Sequence, residues 1–267
     1  MVLLDGKYVA GEIRKELKAE VSDLVAAGRR VPCLGIVLVG HDPASETYVA
    51  NKLKACAEVG IEARKIAFEE RISEAELLEC VAELNRDARI DGFIVQLPLP
   101  KHINEQRILA AIAPHKDVDR GVTSRGIAAL LSHYGISTAG KHVVVIGSRM
   151  LASGLDGVTV TECEKDTPNL KDICLTADIL IAAAGSPKLV TADMVREGAI
   201  VIDGGFNRVE IRNQKSEVSY KLVGDVNFEG VAEKCAYITP MPGGVGPMTI
   251  AGLLLNTVEA FRSRIAV

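Results

Sequence analysis

Tyr48 and Lys52 stand four residues apart in the run Asp42-Pro43-Ala44-Ser45-Glu46-Thr47-Tyr48-Val49-Ala50-Asn51-Lys52. On a helix that spacing puts both on one face. A lysine pointing into a cleft has its pKa pulled down by desolvation and can then work as a general acid/base. Taken alone, the pair reads better as a solvated lysine beside an ordinary surface tyrosine. A second run, Val95-Gln96-Leu97-Pro98-Leu99-Pro100, sets a glutamine at the end of an apolar strand, which is costly unless its amide has a partner. Strand ends of this kind bind ligands in open α/β sheets, although a glutamine bonded to a neighbouring loop explains the pattern equally well. In Lys116-Asp117-Val118-Asp119 two carboxylates flank one apolar residue, and they could orient a polar ring or simply form a turn with a helix cap. The run Pro242-Gly243-Gly244-Val245-Gly246-Pro247-Met248-Thr249 is a rigid loop feeding a helix N-terminus, suited to close backbone approach by a ligand.

The elements that must position these groups are legible from periodicity. Val9, Ile13, Leu17, Val21 and Leu24 recur at helical spacing up to Gly28, and residues 43–59 form another amphipathic helix ended by Gly60. Ser73 with Glu76 makes a capping box before Leu77, Val81 and Leu84. Continuous apolar runs at 33–39 and 92–97 are expected as strands covered on both faces. A second series follows Gly140, with strands at 142–146, 158–161, 178–183 and 199–203 and helices starting at Thr167-Pro168 and Thr191. The polar stretch 208–219 suggests a hairpin or excursion, and 248–264 a last amphipathic helix. Strands alternating with helices predict βαβ units and parallel sheets, here in two α/β lobes, the second of dinucleotide-binding type.

Composition narrows the function further. The 267 residues carry 31 Lys+Arg against 35 Asp+Glu, a net charge of −4, with a pI near 5.8. That balance argues against nucleic acid or an anionic membrane as partner. Aromatic residues make up 4% with no Trp, so base-stacking platforms are not expected. No apolar run approaches the roughly 20 residues of a membrane-spanning helix, and an acid at Asp5 comes too early for a secretory leader. Six scattered cysteines, without a C-x-x-C pair, suit a reducing compartment. Five histidines without metal-ligand spacing give no support for a metal site. The expectation is a soluble cytoplasmic protein.

Together the four runs resemble the bifunctional methylenetetrahydrofolate dehydrogenase/cyclohydrolase family. The strings PASETYVANKLKA, GFIVQLPLP, KDVD, ADILIAAAG, GAIVIDGGFNR, GDV and YITPMPGGVGPMTIA occur in family order over most of the chain. The resemblance implies two lobes around a cleft, a βαβ catalytic lobe (1–119 plus 248–267) and a Rossmann-type NAD(P)-binding lobe (120–247). It also implies a homodimer. Lys52 matches the family's catalytic lysine, Tyr48 the tyrosine that packs on substrate, Gln96 the glutamine that bonds the lysine, and Asp119 the aspartate that holds the pterin. Val95, Leu97 and the loop Pro242, Gly243, Gly244, Val245 and Gly246 are implied folate contacts. Gly147, Ser148, Arg149, Thr123, Lys165 and Phe206 are implied contacts of the cofactor, NADP, with NAD not excluded. The implied chemistry is oxidation of 5,10-methylenetetrahydrofolate to the methenyl cation, then hydrolysis to 10-formyltetrahydrofolate, supplying one-carbon units for purine, methionine and histidine synthesis. Rival readings are a cyclohydrolase alone with a crippled dinucleotide site, and a non-catalytic folate-binding or dimer-partner protein.

The chain departs from the family pattern in two places. The connector that usually follows KDVD is missing, so that Asp119 leads at once into Arg120-Gly121-Val122-Thr123. The phosphate-binding turn reads Gly147-Ser148-Arg149-Met150, and only 147–157 separate two strands expected to be parallel. A crossover including its helix needs at least roughly 10–12 residues, and a three-turn helix with both loops needs more. The pyrophosphate-binding helix therefore does not fit. Cys163-Glu164-Lys165 stands where the family has Cys-His-Ser, and Gly205-Phe206-Asn207 where it has Gly-Ile-Asn. Either a longer chain has mobile segments that this sequence omits, or the deletion is real. The first is favoured, because losing the helix would leave apolar residues of one sheet face wet.

Overall fold

The computed structural model describes residues 1–212 and 218–265. Along the chain the elements are β1 (Val2–Leu3), α1 (Gly6–Ala26), β2 (Cys33–Val39), α2 (Pro43–Val59), β3 (Glu62–Phe68), α3 (Glu74–Arg86), β4 (Gly92–Val95) and α4 (Glu105–Ala110). There follow α5 (Val122–His133), β5 (His142–Ile146), β6 (Thr159–Cys163), α6 (Leu170–Cys174), β7 (Ile179–Ala182) and β8 (Ile200–Asp203). The last are β9 (Asn207–Arg212), β10 (Val218–Val223), α7 (Phe228–Ala232), β11 (Tyr237–Ile238) and α8 (Val245–Ile265). They divide into two compact units, one of Met1–Gly11 with Thr123–Thr249 and the other of Glu12–Val122 with the residues from Ile250 on.

The unit containing Glu12–Val122 is built on a parallel three-stranded sheet in the order β3-β2-β4. Alternation along β2 feeds two cores. Leu34, Ile36 and Leu38 pack with Val49, Cys56 and Val59 of α2 and Leu253, Leu254 and Val258 of α8. Cys33, Val37 and Val39 pack on the other face with Leu77, Val81 and Leu84 of α3. The capping box of Ser73 and Glu76 is present in full. Strand β3 went unread in the sequence because EARKIAF pairs only one edge and is half-exposed, so it lacks the continuous apolar run of its neighbours.

The other unit carries a six-stranded parallel sheet in the order β1-β11-β8-β7-β5-β6. Its chain runs from β5 out to β6 and then back past β5 to β7, which makes the carboxyl end of β5 a topological switch point, where doubly wound sheets bind dinucleotides. As the residue count between the strands requires, no crossover helix joins β5 to β6: a single 3₁₀ turn, Arg149–Ala152, takes the place of the family's helix. This turn lies against α5, where Ser153 Oγ donates to Ser124 Oγ at 3.0 Å and a Cβ on Gly154 would come 2.9 Å from the Ser124 carbonyl. A cavity of about 490 Å³ opens beside it, lined in part by Ala128, Leu131, Ile136 and Leu155. The helix expected from Thr167-Pro168 is only Leu170–Cys174, and that from Thr191 shrinks to a 3₁₀ turn, Ala192–Met194. Strands β9 and β10 pair antiparallel as the expected hairpin, whose tip (213–217) lies outside the described residues.

Candidate active site

Helix α2 sets the first half of the site. Asp42 caps it by accepting from the Ser45 amide at 2.7 Å, Pro43 opens its first turn, and Gly60 stops it at a left-handed φ of 83°. With Val49, Cys56 and Val59 buried on the sheet, Lys52 is left half-buried and Tyr48 exposed. Lys52 Nζ donates to Gln96 Oε1 at 3.1 Å. The glutamine follows directly on β4, and its backbone amide donates to the Val37 carbonyl, extending the ladder one residue. Its Nε2 donates to the Leu97 carbonyl at 2.7 Å, which turns Oε1 toward the lysine. The amide that looked costly in an apolar strand thus has both its donor and its acceptor used.

The segment 116–119 is held beside β4 by backbone pairing. The Phe93 amide donates to the Lys116 carbonyl at 2.9 Å, and Gly92 faces Val118 so closely that a Cβ there would overlap its methyls. Lys116 is buried, its Nζ donating to the Asp87 carbonyl at 2.8 Å and also to the Ile90 carbonyl. The two carboxylates separate in role: Asp117 accepts from the Arg120 amide at 3.2 Å, while Asp119 interacts with the charge of Lys52.

Desolvation holds the Lys52 ammonium below its ordinary pKa, against the attraction of Asp119. The Asp119 carboxyl is pushed up by desolvation, with Lys52 pulling it down and Asp117 adding a smaller upward push. Asp119 is open to solvent as a residue, yet the protein mass around it makes ionisation costly. Both shifts favour the neutral forms, a lysine that can accept a proton and a carboxyl that can give one. One turn beyond Lys52, Cys56 is fully buried and pushed up to about 12 by burial, so it stays a thiol.

Of the other expected residues, Val95 is buried at the end of β4 and Leu97 is exposed just beyond it, while the rest lie in the unit with the six-stranded sheet. In the loop before α8, Gly243 has φ 110° and its carbonyl accepts from the Lys7 amide at 2.8 Å, while Gly246, already in the first turn of α8, faces open space. At the end of β5, Gly147 is buried at φ 118°, and a Cβ there would come 2.5 Å from the Ala183 carbonyl. Ser148 and Arg149 are exposed, and the Arg149 amide donates to Glu162 Oε1 at 2.8 Å. Lys165 is exposed beyond β6, Phe206 is exposed just past β8, and Thr123 Oγ1 sits 3.3 Å from Thr249 Oγ1. Sequence reasoning missed a pair of buried acids beside these loops, Asp203 and Asp225. The signal for Asp203 was available, since a carboxylate ending the apolar strand Ile200-Val201-Ile202-Asp203 needs buried donors.

Two family models match the chain: tetrahydrofolate dehydrogenase/cyclohydrolase, catalytic domain, over residues 4–119, and tetrahydrofolate dehydrogenase/cyclohydrolase, NAD(P)-binding domain, over 121–265. The bifunctional protein FolD of Porphyromonas gingivalis is 49% identical, covering 97% of this chain and 96% of its own. That of Sulfurihydrogenibium is 45% identical, covering 99% of both. The Porphyromonas alignment runs over 286 positions, whereas 97% of this 267-residue chain fills only about 259, so some 27 positions have no counterpart here. Among solved structures, the bifunctional FolD of Campylobacter jejuni matches with a TM-score of 0.90 at 42% identity, covering 99% of both chains. The Trypanosoma brucei methylenetetrahydrofolate dehydrogenase-cyclohydrolase, complexed with NADP cofactor and inhibitor, matches at 0.91 and 34% identity, covering 100% of this chain and 99% of its own.

Proposed function

The chain belongs to the tetrahydrofolate dehydrogenase/cyclohydrolase family, and from that premise we propose that Lys52, held by Gln96 beside Asp119, is the general acid/base of its folate chemistry. The protein oxidises 5,10-methylenetetrahydrofolate to the methenyl cation with NADP and hydrolyses that cation to 10-formyltetrahydrofolate. The observation that carries the proposal is the half-buried Lys52 ammonium, pulled below its ordinary pKa while hydrogen-bonded to Gln96. A neutral amine does not repel the cation. It can take a proton from the attacking water and return it to the ring nitrogen that leaves when the ring opens. Asp119 would hold the polar edge of the pterin, Tyr48 would pack on the substrate, and Val95, Leu97 and the loop Pro242–Gly246 would complete its binding.

When bound, NADP supplies the hydride acceptor. The residues fit a dinucleotide at the switch point of the six-stranded sheet, where the close approach of Gly147 to Ala183 permits no side chain; Phe206 is exposed past β8, two strands from β5. Gly147, Ser148 and Arg149 would hold the pyrophosphate end, without the helix that usually carries it. Thr123 and Phe206 would lie toward the nicotinamide, and Lys165 or Arg149 would neutralise the 2′-phosphate. Residues 1–119 with 248–267 would then serve the folate and 120–247 the dinucleotide.

Replacing Lys52 by Arg keeps a cation but removes the neutral base, since a guanidinium stays protonated. Cyclohydrolase turnover is expected to fall about 100-fold or more, measured as decay of methenyltetrahydrofolate absorbance, and full activity in Lys52→Arg would overturn the role. No helix among the described residues is long and apolar enough to cross a membrane. We assign the protein to the cytoplasm as a homodimer, checked by a sedimentation mass of twice the 28.5 kDa chain.

A further inference from the structure

Two fully or nearly buried carboxylates tie together the loops at the carboxyl ends of β7 and β8. Asp225, with no exposed surface, accepts from the amides of Ala184 and Gly185 through Oδ2 at 2.6 and 2.9 Å. Its Oδ1 accepts from the Ser186 amide at 3.0 Å and from Asn207 Nδ2 at 2.7 Å. Asp203, at the end of β8, accepts from the Gly205 and Asp225 amides at 2.9 Å each and from the Val226 amide at 3.1 Å. A Cβ on Gly205 would overlap Asp225, and one on Gly224 would overlap Asp203, so both glycines exist to let the carboxylates in. A buried carboxylate is costly unless its oxygens are filled by donors; here Asp225 takes four and Asp203 three.

These donors are not scattered. Three successive amides, 184–186, come from the loop that follows β7, and the fourth donor is the side chain of Asn207, which opens β9 directly after Phe206. The loop after β7 is next to the switch point at β5, and the loop after β8 lies one strand further along the sheet. We propose that Asp225 is a positioning residue of the dinucleotide site: by collecting three amides of the loop after β7 and the side chain of Asn207 at the start of β9, it fixes the backbone against which the cofactor would lie, Phe206 being the residue before Asn207. This rests on the dinucleotide reading above.

The test uses the whole protein and two variants. Asp225→Asn keeps the shape but loses the charge that gathers three amides, and Asn207→Ala removes one donor to Oδ1 while leaving the carboxylate and its three backbone amides in place. In both, the Kd for NADPH, followed by nicotinamide fluorescence, is expected to rise at least fivefold. KM for NADP should rise in parallel while KM for the folate substrate stays within twofold. A merely structural role would lower Tm without separating the two Michaelis constants. An unchanged NADPH Kd in Asn207→Ala, or equal rises in both Michaelis constants, would overturn the assignment. Should Asp225→Asn fail to fold, Asn207→Ala decides alone. A wild-type protein that binds no NADPH overturns the dinucleotide reading and this assignment with it.

Discussion

At the scale of single residues the site turns on how a charge is stabilised in protein rather than water. The Lys52 ammonium loses hydration, and the Asp119 carboxylate returns only part of it. With the folded pKa below the ordinary value, the neutral amine becomes available at lower pH than for a free lysine, so cyclohydrolase kcat/KM should rise with pH and level off below the range of an ordinary lysine. Gln96→Glu places a second carboxylate on the ammonium, which favours the charged form. Its pH profile is expected to move upward, and activity at neutral pH should drop about tenfold for every pH unit the profile moves; an unmoved profile would dissociate Gln96 from the lysine. Glu162 works in the opposite direction at the turn after β5, proposed above to hold the dinucleotide, where its carboxylate occupies the Arg149 amide. Glu162→Gln removes a negative charge from the place where phosphate would gather amides, and KM for NADP should fall by a few-fold, read from initial rates. The family resemblance implied the pairing of Lys52 with Gln96, which neither residue showed alone, and it did not show that the Leu97 carbonyl turns the amide. Nor did it show that Glu162 reaches back 13 positions to the amide of Arg149.

At the scale of elements, what was legible is what packing makes periodic. The buried strands β2, β4, β5, β7 and β8 show as apolar runs because both faces are covered, and α2 and α3 show through caps that the structure contains. Elements set by a single edge pairing or a few residues, such as β3, β1 and β11, carry no such pattern. The short connection 147–157 was legible by counting residues, and the chain solves it with a 3₁₀ turn seated on α5, leaving Met150 exposed at 52%. An element can also be tested where it positions chemistry. Gly92 on β4 faces Val118, two residues from Lys116 and one from Asp119, with the Lys116 carbonyl 3.1 Å from where a Cβ would stand. Gly92→Ala must push the 116–119 segment off the strand, at a cost of about 1–3 kcal/mol of overpacking. The expected result is a lowered urea midpoint together with a raised KM for folate; a loss of stability with KM unchanged would show that the segment's position does not matter to the site.

At the scale of the molecule, residues far apart in sequence meet on one buried carboxylate. Asp91 is fully buried and takes Arg30 through both oxygens, at 2.5 and 2.7 Å, the Cys33 amide at 2.8 Å, and Arg264 of α8 at 3.3 Å. Arg264 and Lys116 share the Ile90 carbonyl, and the neighbouring guanidinium helps burial to depress the Lys116 pKa. No local pattern announces this tie, because its members are ordinary charged residues whose meaning comes only from the fold. The physics gives it an asymmetry. Both arginines keep part of their side chain in solvent, 40% for Arg30 and 29% for Arg264, whereas the carboxylate keeps none. Removing the acid therefore lets the cations rehydrate, while removing the cations strands a buried anion. The double variant Arg30→Met with Arg264→Met should lose about 3–5 kcal/mol, and Asp91→Asn distinctly less. Urea unfolding of the three proteins under one set of conditions decides it: if Asp91→Asn is the more damaging, the carboxylate is stabilised chiefly by the Cys33 amide and the surrounding backbone, and the arginines act at the surface only.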